Sequence, residues 1–166
     1  MPGLAPGQNG RMDKGTKREA SVYIEAAPEK VYDVVSDVTR MGEWSPETTG
    51  AVWLDGATGP AVGARFKGTN KRGVARWSTK PTVVTAEAGR EFAFEVEAMT
   101  LWTYRMEPDG AGTRLTESFE MLKDMPWIFR AAERYVMRIN DRAADLEQAM
   151  QATVERIKHA VEGTAA

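Results

Sequence analysis

Apolar residues along the chain follow three successive rhythms. In REASVYIEA (residues 18–26), Val22 and Ile24 share one phase of an alternation, the period-two pattern of a strand. Pro28 then opens PEKVYDVVSDV, where Val31, Val34, Val35 and Val38 recur at helical spacing. Proline in a first helical turn has no N–H to lose, so it reads as a helix start. TRMGEWSPE follows, a short helix or turn and then a break. From residue 50 the period returns to two. Segments 50–55, 63–73, 74–87, 90–98, 101–110 and 113–121 read as consecutive strands, most of them separated by Gly, Pro or Asp-Gly, with PDGAGT as a strong hairpin signal. Short connections make such strands antiparallel neighbours. From 126 to about 161, Ile128, Ala132, Tyr135, Val136, Ile139, Ala143, Leu146, Met150, Val154 and Ile157 recur at three and four. That spacing predicts one amphipathic helix about 50 Å long.

A helix of that kind has an apolar stripe to bury, and the sheet offers the one large apolar surface. The expected class is therefore α+β. A curved antiparallel sheet of about seven strands wraps a long C-terminal helix, with two short helices between strands 1 and 2. MPGLAPGQNGRMDKGTKR is rich in Gly, Pro and polar residues and has no apolar run of secretory length. The expected organisation is a disordered arm over 1–16, one domain over 17–162 and a short tail over 163–166. Met12 is a second candidate start, because MDKGTKREASVYIEA leads directly into the first strand.

The strand TRLTESFEM (113–121) holds an anomaly. Leu115, Glu117, Phe119 and Met121 share one phase, and Arg114, Thr116, Ser118 and Glu120 the other. A lone carboxylate on the apolar phase is expensive unless it is paired, hydrogen-bonded or protonated. Composition narrows the chemistry available. The 166 residues contain no cysteine, which excludes disulfides, thiolate nucleophiles and Cys metal sites, and a single histidine, His159, near the chain end. That leaves little support for a metal site or a Ser-His-Asp triad. His159 suits a solvated role at a helix terminus. The net charge of -2 gives no pull toward nucleic acid. No stretch approaches the ~20 apolar residues of a membrane span. GTNKRG lacks the Lys-Ser/Thr context of a phosphate-binding loop. A cytoplasmic protein with no cofactor is expected.

The order of strand, short helices, meander and long terminal helix resembles the helix-grip fold of the START-like (SRPBCC) superfamily. SVYIEAAPEKVYDVVSDVTRMGEWSPE, VGARFKGTNKRG, the lone Trp of RWST and GTRLTESFE are most similar to its polyketide cyclase/dehydrase and lipid-transport branch, over roughly 17–162. This resemblance implies a deep, largely apolar cavity between sheet and helix. Because the superfamily hosts carriers, cyclases, hydrolases and sensors on one scaffold, it leaves the function open.

Within that picture Glu117 faces the helix, and Phe66 and Asn70 share an inward phase on their strand. Trp77, Phe92, Phe94, Trp102 and Tyr104 fall on inward phases of theirs, beside Phe119. Trp44 stands at the short helical turn, at the mouth that the resemblance implies. The long helix adds Trp127, Tyr135 and either Arg138 or Asn140. Trp44, Phe66, Asn70, Trp77, Phe94, Trp102, Tyr104, Glu117, Phe119, Trp127 and Tyr135 make up the expected ligand-binding set, an aromatic pocket with a few polar groups. Plainer readings stand beside it. Glu117 can be a structural carboxylate, Asn70 a loop cap, and the aromatic residues ordinary core. TNKRGVAR reads by default as a solvated basic hairpin.

Three functions compete. The first is binding or transport of a lipid, polyketide or aromatic metabolite. The second is a polyketide cyclase/dehydratase-like enzyme, which holds a flexible chain in reactive shape while Glu117, helped by Tyr104, acts as acid or base. The third is a protein-interaction module. An exposed edge of the meander can also pair with a second copy, so a homodimer is among the expected assemblies.

Overall fold

A computed structural model of the chain describes residues 12–135 and 142–163. Eight strands form: β1 (Lys17–Ile24), β2 (Thr48–Trp53), β3 (Phe66–Arg72), β4 (Ala75–Thr79), β5 (Thr82–Glu87), β6 (Glu91–Val96), β7 (Thr100–Asp109) and β8 (Gly112–Met121). Helix α1 (Pro28–Val35) and a 3-10 helix (Val38–Glu43) lie between β1 and β2, and α2 (Trp127–Tyr135) and α3 (Arg142–Glu162) follow β8. All strand pairs are antiparallel, in a five-stranded sheet ordered β1-β8-β7-β6-β5 and a three-stranded sheet ordered β2-β3-β4. This is the helix-grip architecture.

The expected strand over 74–87 is two strands. Pro81 has no N–H for a ladder, so pairing is interrupted there, and β4 stays with β3 while β5 joins β6. The two sheets meet at a narrow seam. There Arg65 and Thr82 form an isolated bridge, and Phe66 N–H donates to the Pro81 carbonyl at 3.2 Å. The β7–β8 hairpin is as read from PDGAGT, with Gly110 at φ 59° at its tip, a conformation open to glycine at little cost. Just beyond, Gly112 lies so close to the Ile24 carbonyl and the Tyr23 ring that a Cβ there would overlap both.

Helix α3 packs against β1, β8, α1 and the 3-10 helix. Its buried residues Leu146, Met150, Val154, Ile157 and Val161 are the expected stripe. The stripe does not run back through α2. Ile128 and Ala132 are exposed there, so the expected single 36-residue packing surface is a correction. Length gives the reason: the ten-residue β8 is about 33 Å long and the 21-residue α3 about 32 Å, so a helix near 50 Å overruns the sheet. The positions of Val136 and Ile139 lie outside the described residues. The N-terminal boundary also moves. Residues 12–16, expected in the arm, are held down: Gly15 N–H donates to the Met121 carbonyl (2.8 Å), and Met121 N–H to the Thr16 carbonyl (2.9 Å). Residues 1–11 and 164–166 lie outside the described residues, as does the backbone of 136–141. No described helix is long and apolar enough to cross a membrane.

Candidate functional site

The alternation read from β8 sets the inner face of the large sheet. Thr113, Leu115, Glu117, Phe119 and Met121 are buried, and the residues between them are partly exposed. Register then places partners: Tyr104 of β7 lies opposite Glu117, and Trp102 opposite Phe119 on one side and Phe94 of β6 on the other. On the smaller sheet Phe66, Gly68 and Asn70 share the buried phase of β3, with Trp77 opposite Asn70 on β4. Between these faces and α3 lies a cavity of about 240 Å³.

Eight of the eleven expected binding residues line it: Phe66, Asn70, Trp77, Phe94, Trp102, Tyr104, Glu117 and Phe119. Their rings meet edge to face, with Phe66 and Phe94 centroids 5.2 Å apart and Trp102 and Phe119 4.9 Å apart. Glycine at position 68 keeps the β3 wall thin, since the nearest atom to a Cβ there would be Thr79 Oγ1 at 3.3 Å.

Three expected residues are elsewhere. Trp44 is 1 % exposed but packs in the core beside the cavity, with the Arg40 guanidinium 5.9 Å from its ring and its carbonyl accepting from Arg156 Nη1 at 3.4 Å. Met41, three residues earlier, is the 3-10 helix residue on the cavity wall. Trp127 and Tyr135 are 78 % and 77 % exposed, because α2 turns these side chains outward; only Met125, just before it, reaches the cavity. Arg138 and Asn140 lie outside the described residues.

Glu117 is the chemical centre of the cavity. It is 2 % exposed, its Oε1 accepts the Tyr104 hydroxyl at 3.0 Å, and no described protein group reaches its Oε2. Burial pushes its carboxyl up to about 8, and the Tyr104 hydrogen bond only partly opposes this. The Tyr104 hydroxyl is pushed well above its usual range by the same burial and by the adjacent carboxyl. At neutral pH the carboxyl is largely protonated and Tyr104 neutral. In the arrangement where the Tyr104 hydroxyl donates to Oε1, the acid carries its proton on Oε2. On the facing sheet Asn70 Oδ1 accepts the Thr48 hydroxyl at 2.8 Å, leaving the amide N–H₂ as the part of Asn70 able to address a ligand.

The sequence reading missed further features of the site. Met12 packs into the cavity wall from a stretch read as arm. Thr153 lines the cavity from α3, its hydroxyl returned to the Ala149 carbonyl at 2.8 Å. Glu47 and Asp145 also line the cavity, and Arg72 clamps them together. Its Nη1 and Nη2 donate to both Asp145 oxygens at 2.7 and 2.6 Å, and Nη1 also to Glu47 at 3.1 Å. These carboxylates raise the Arg72 guanidinium further. Arg72 is thus no solvated member of a basic hairpin but a tie between β3, the segment after the 3-10 helix, and α3. Among the described residues, no group of three or more His, Asp or Glu side chains is placed to hold a metal ion.

The model of the family described as polyketide cyclase / dehydrase and lipid transport matches residues 16–162. The chain belongs to this family. Among solved structures, the polyketide cyclase/dehydrase-family chain is similar to the Polyketide_cyc-like protein Cgl2372 from Corynebacterium glutamicum. The two share 35 % identity over 91 % of this chain and 94 % of that one, with a TM-score of 0.62. TTHA0849 from Thermus thermophilus shares the fold at 17 % identity, covering 91 % of this chain and 100 % of its own, with a TM-score of 0.63. The di-domain ARO/CYC StfQ from the steffimycin biosynthetic pathway does so at 11 % identity, covering 89 % of this chain and 50 % of its own, with a TM-score of 0.68. No curated protein matches the chain.

Proposed function

We propose that the protein binds a hydrophobic small molecule, a lipid, polyketide or aromatic metabolite, in the cavity between its sheets and α3. The observation that carries this is the wall itself. Phe66, Phe94, Trp102 and Phe119 surround a real volume instead of closing it, and only a few polar groups interrupt them. A fold seeking stability alone would fill such a space, since each void costs dispersion contacts. Native mass spectrometry of the purified protein, followed by organic extraction, tests the proposal. A one-to-one apolar adduct, or stoichiometric uptake of an environment-sensitive apolar dye, is expected. Neither appearing would show that the cavity is only a packing defect.

A second reading, a cyclase/dehydratase-like enzyme, has one specific observation in its favour. Glu117 is a buried acid whose pKa lies near working pH, in contact with the bound molecule's space. In an intramolecular aldol closure, an enol carbon attacks a ketone carbon, and Glu117 would pass its proton to the ketone oxygen as that becomes a hydroxyl. The enol proton would return to the carboxylate. Tyr104 is then a positioning residue. Glu117→Gln keeps the shape without the transferable proton, so turnover of a poly-β-ketone should fall about 10²-fold or more, while a carrier would keep its binding.

A further inference from the structure

We propose that the cavity selects a compact, uncharged ligand of one or two rings that presents a carbonyl-type oxygen to the Oε2 side of Glu117. The inference rests on the cavity being a binding site and adds what that site recognises. Four observations point the same way.

The first is the orphan oxygen. Glu117 lines the cavity, its Oε1 is engaged by Tyr104, and its Oε2, which shows the open space almost no surface, meets no partner among the described residues, so a ligand would reach it on a small turn of the carboxyl. An unsatisfied buried polar group is costly, so a ligand that supplies the missing partner gains what the empty site forgoes. With Tyr104 as the donor to Oε1, the acid proton sits on Oε2 and the partner that fits it is an acceptor.

The second is the charge around the cavity. Among the described residues, the titratable group touching Glu117 is Tyr104 on β7. Across β1 stands Ala20, and α3 contributes Leu146, Met150 and Thr153, none of which titrates. Glu47 and Asp145 are both bound by Arg72. Among the described residues, an anionic ligand would therefore be buried beside acids without a cation of its own.

The third is size. About 240 Å³ lies below the ~300–1,000 Å³ of pockets that enclose drug-sized molecules, so one or two rings suit the resting space better than a long acyl chain. The fourth is a second donor. Asn70 spends its carbonyl on Thr48 and keeps its amide N–H₂ for a further acceptor on the ligand. Burial that keeps Glu117 protonated near neutral pH supports the donor assignment.

The test is calorimetric titration of the full chain with three probes of matched shape: 2-acetonaphthone, 2-ethylnaphthalene and 2-naphthoate. At pH 6.5 the wild type should bind the ketone about tenfold more tightly than the hydrocarbon, the effect of satisfying one buried donor, and the carboxylate most weakly. Glu117→Leu should bind ketone and hydrocarbon equally. Glu117→Gln presents an amide N–H₂ in place of the acid proton, so it should keep the preference and hold it at pH 9, where the wild type loses it. Hydrocarbon binding without a ketone preference would overturn this inference and leave the cavity reading intact. So would a preference that survives Glu117→Leu, or tightest binding of the carboxylate. Binding of none of the three, with no dye uptake, would overturn both. If Glu117→Leu fails to fold, the contrast between wild type and Glu117→Gln across pH decides alone.

Discussion

Burying a carboxyl between Leu115 and Phe119 makes its protonation a property of the fold. An exposed glutamate titrates near 4.5, and Glu117 in the folded chain near 8. Between those values the native state holds a proton that the unfolded chain has released. Stability is then fully retained below about pH 4.5 and falls as pH rises toward 8, on the order of 1 kcal/mol per pH unit at most. Glu117→Gln should flatten this part of the curve. Denaturant melts of both proteins between pH 5 and pH 8.5 check it, and equal slopes would mean that the native carboxyl is already ionised. This sign opposes that of Glu43 and Glu162, whose pKa values are lowered by bonding to Arg40 and to the Glu25 backbone N–H respectively. The difference between wild type and variant isolates Glu117. Its oddity was legible in TRLTESFEM because a two-residue period puts positions 115, 117, 119 and 121 on one face whatever surrounds them. Its partner was legible only as a candidate. Tyr104 and Glu117 are thirteen residues apart, and their contact follows from hairpin register, which alternation alone leaves open.

At the scale of elements, the Arg72 clamp joins three pieces that local sequence treats as unrelated. Its three side chains are each about a quarter exposed, so water screens the pairing and its contribution to stability is modest, about 1 kcal/mol or less. Its leverage lies in position, since Glu47 and Asp145 are part of the cavity lining. Arg72→Met should lower the melting temperature by only a few degrees while speeding dye exchange from the cavity several-fold, and high salt should move the wild type toward the variant. Stopped-flow displacement measures this; unchanged exchange would make the clamp purely structural. Periodicity showed the strands, the two short helices and the α3 stripe because each obeys its own repeat. It overextended the packing stripe of the terminal helix because a run of apolar residues says nothing about where the surface it packs on ends. It missed Met12 for a related reason: a residue whose burial is decided by the neighbouring sheet carries no repeat of its own. Trp44, Trp127 and Tyr135 failed as cavity residues similarly, since aromatic identity predicts burial or an interface but gives no direction.

For the whole molecule, the division into five and three strands matters more than the strand count. The cavity draws one wall from each sheet, and among the described residues the main-chain bonds between the sheets are the bridge at Arg65 and Thr82 and those made there by Gly63, Phe66 and Val83, beside ring contacts such as Phe66 on Phe94. A guest larger than the resting space has an inexpensive way in: part that join and leave both ladders whole. The amide protons of Gly63, Phe66 and Val83 would then exchange faster with a bulky guest bound than with a small one, while those inside β7 and β8 stay protected. Hydrogen-exchange mass spectrometry on the two complexes reads this, and uniform protection would assign any extra room to side chains instead. The fold then works less like a box of set capacity than like a purse, whose clasp is a handful of main-chain bonds and whose range of contents is limited by how far that clasp can open.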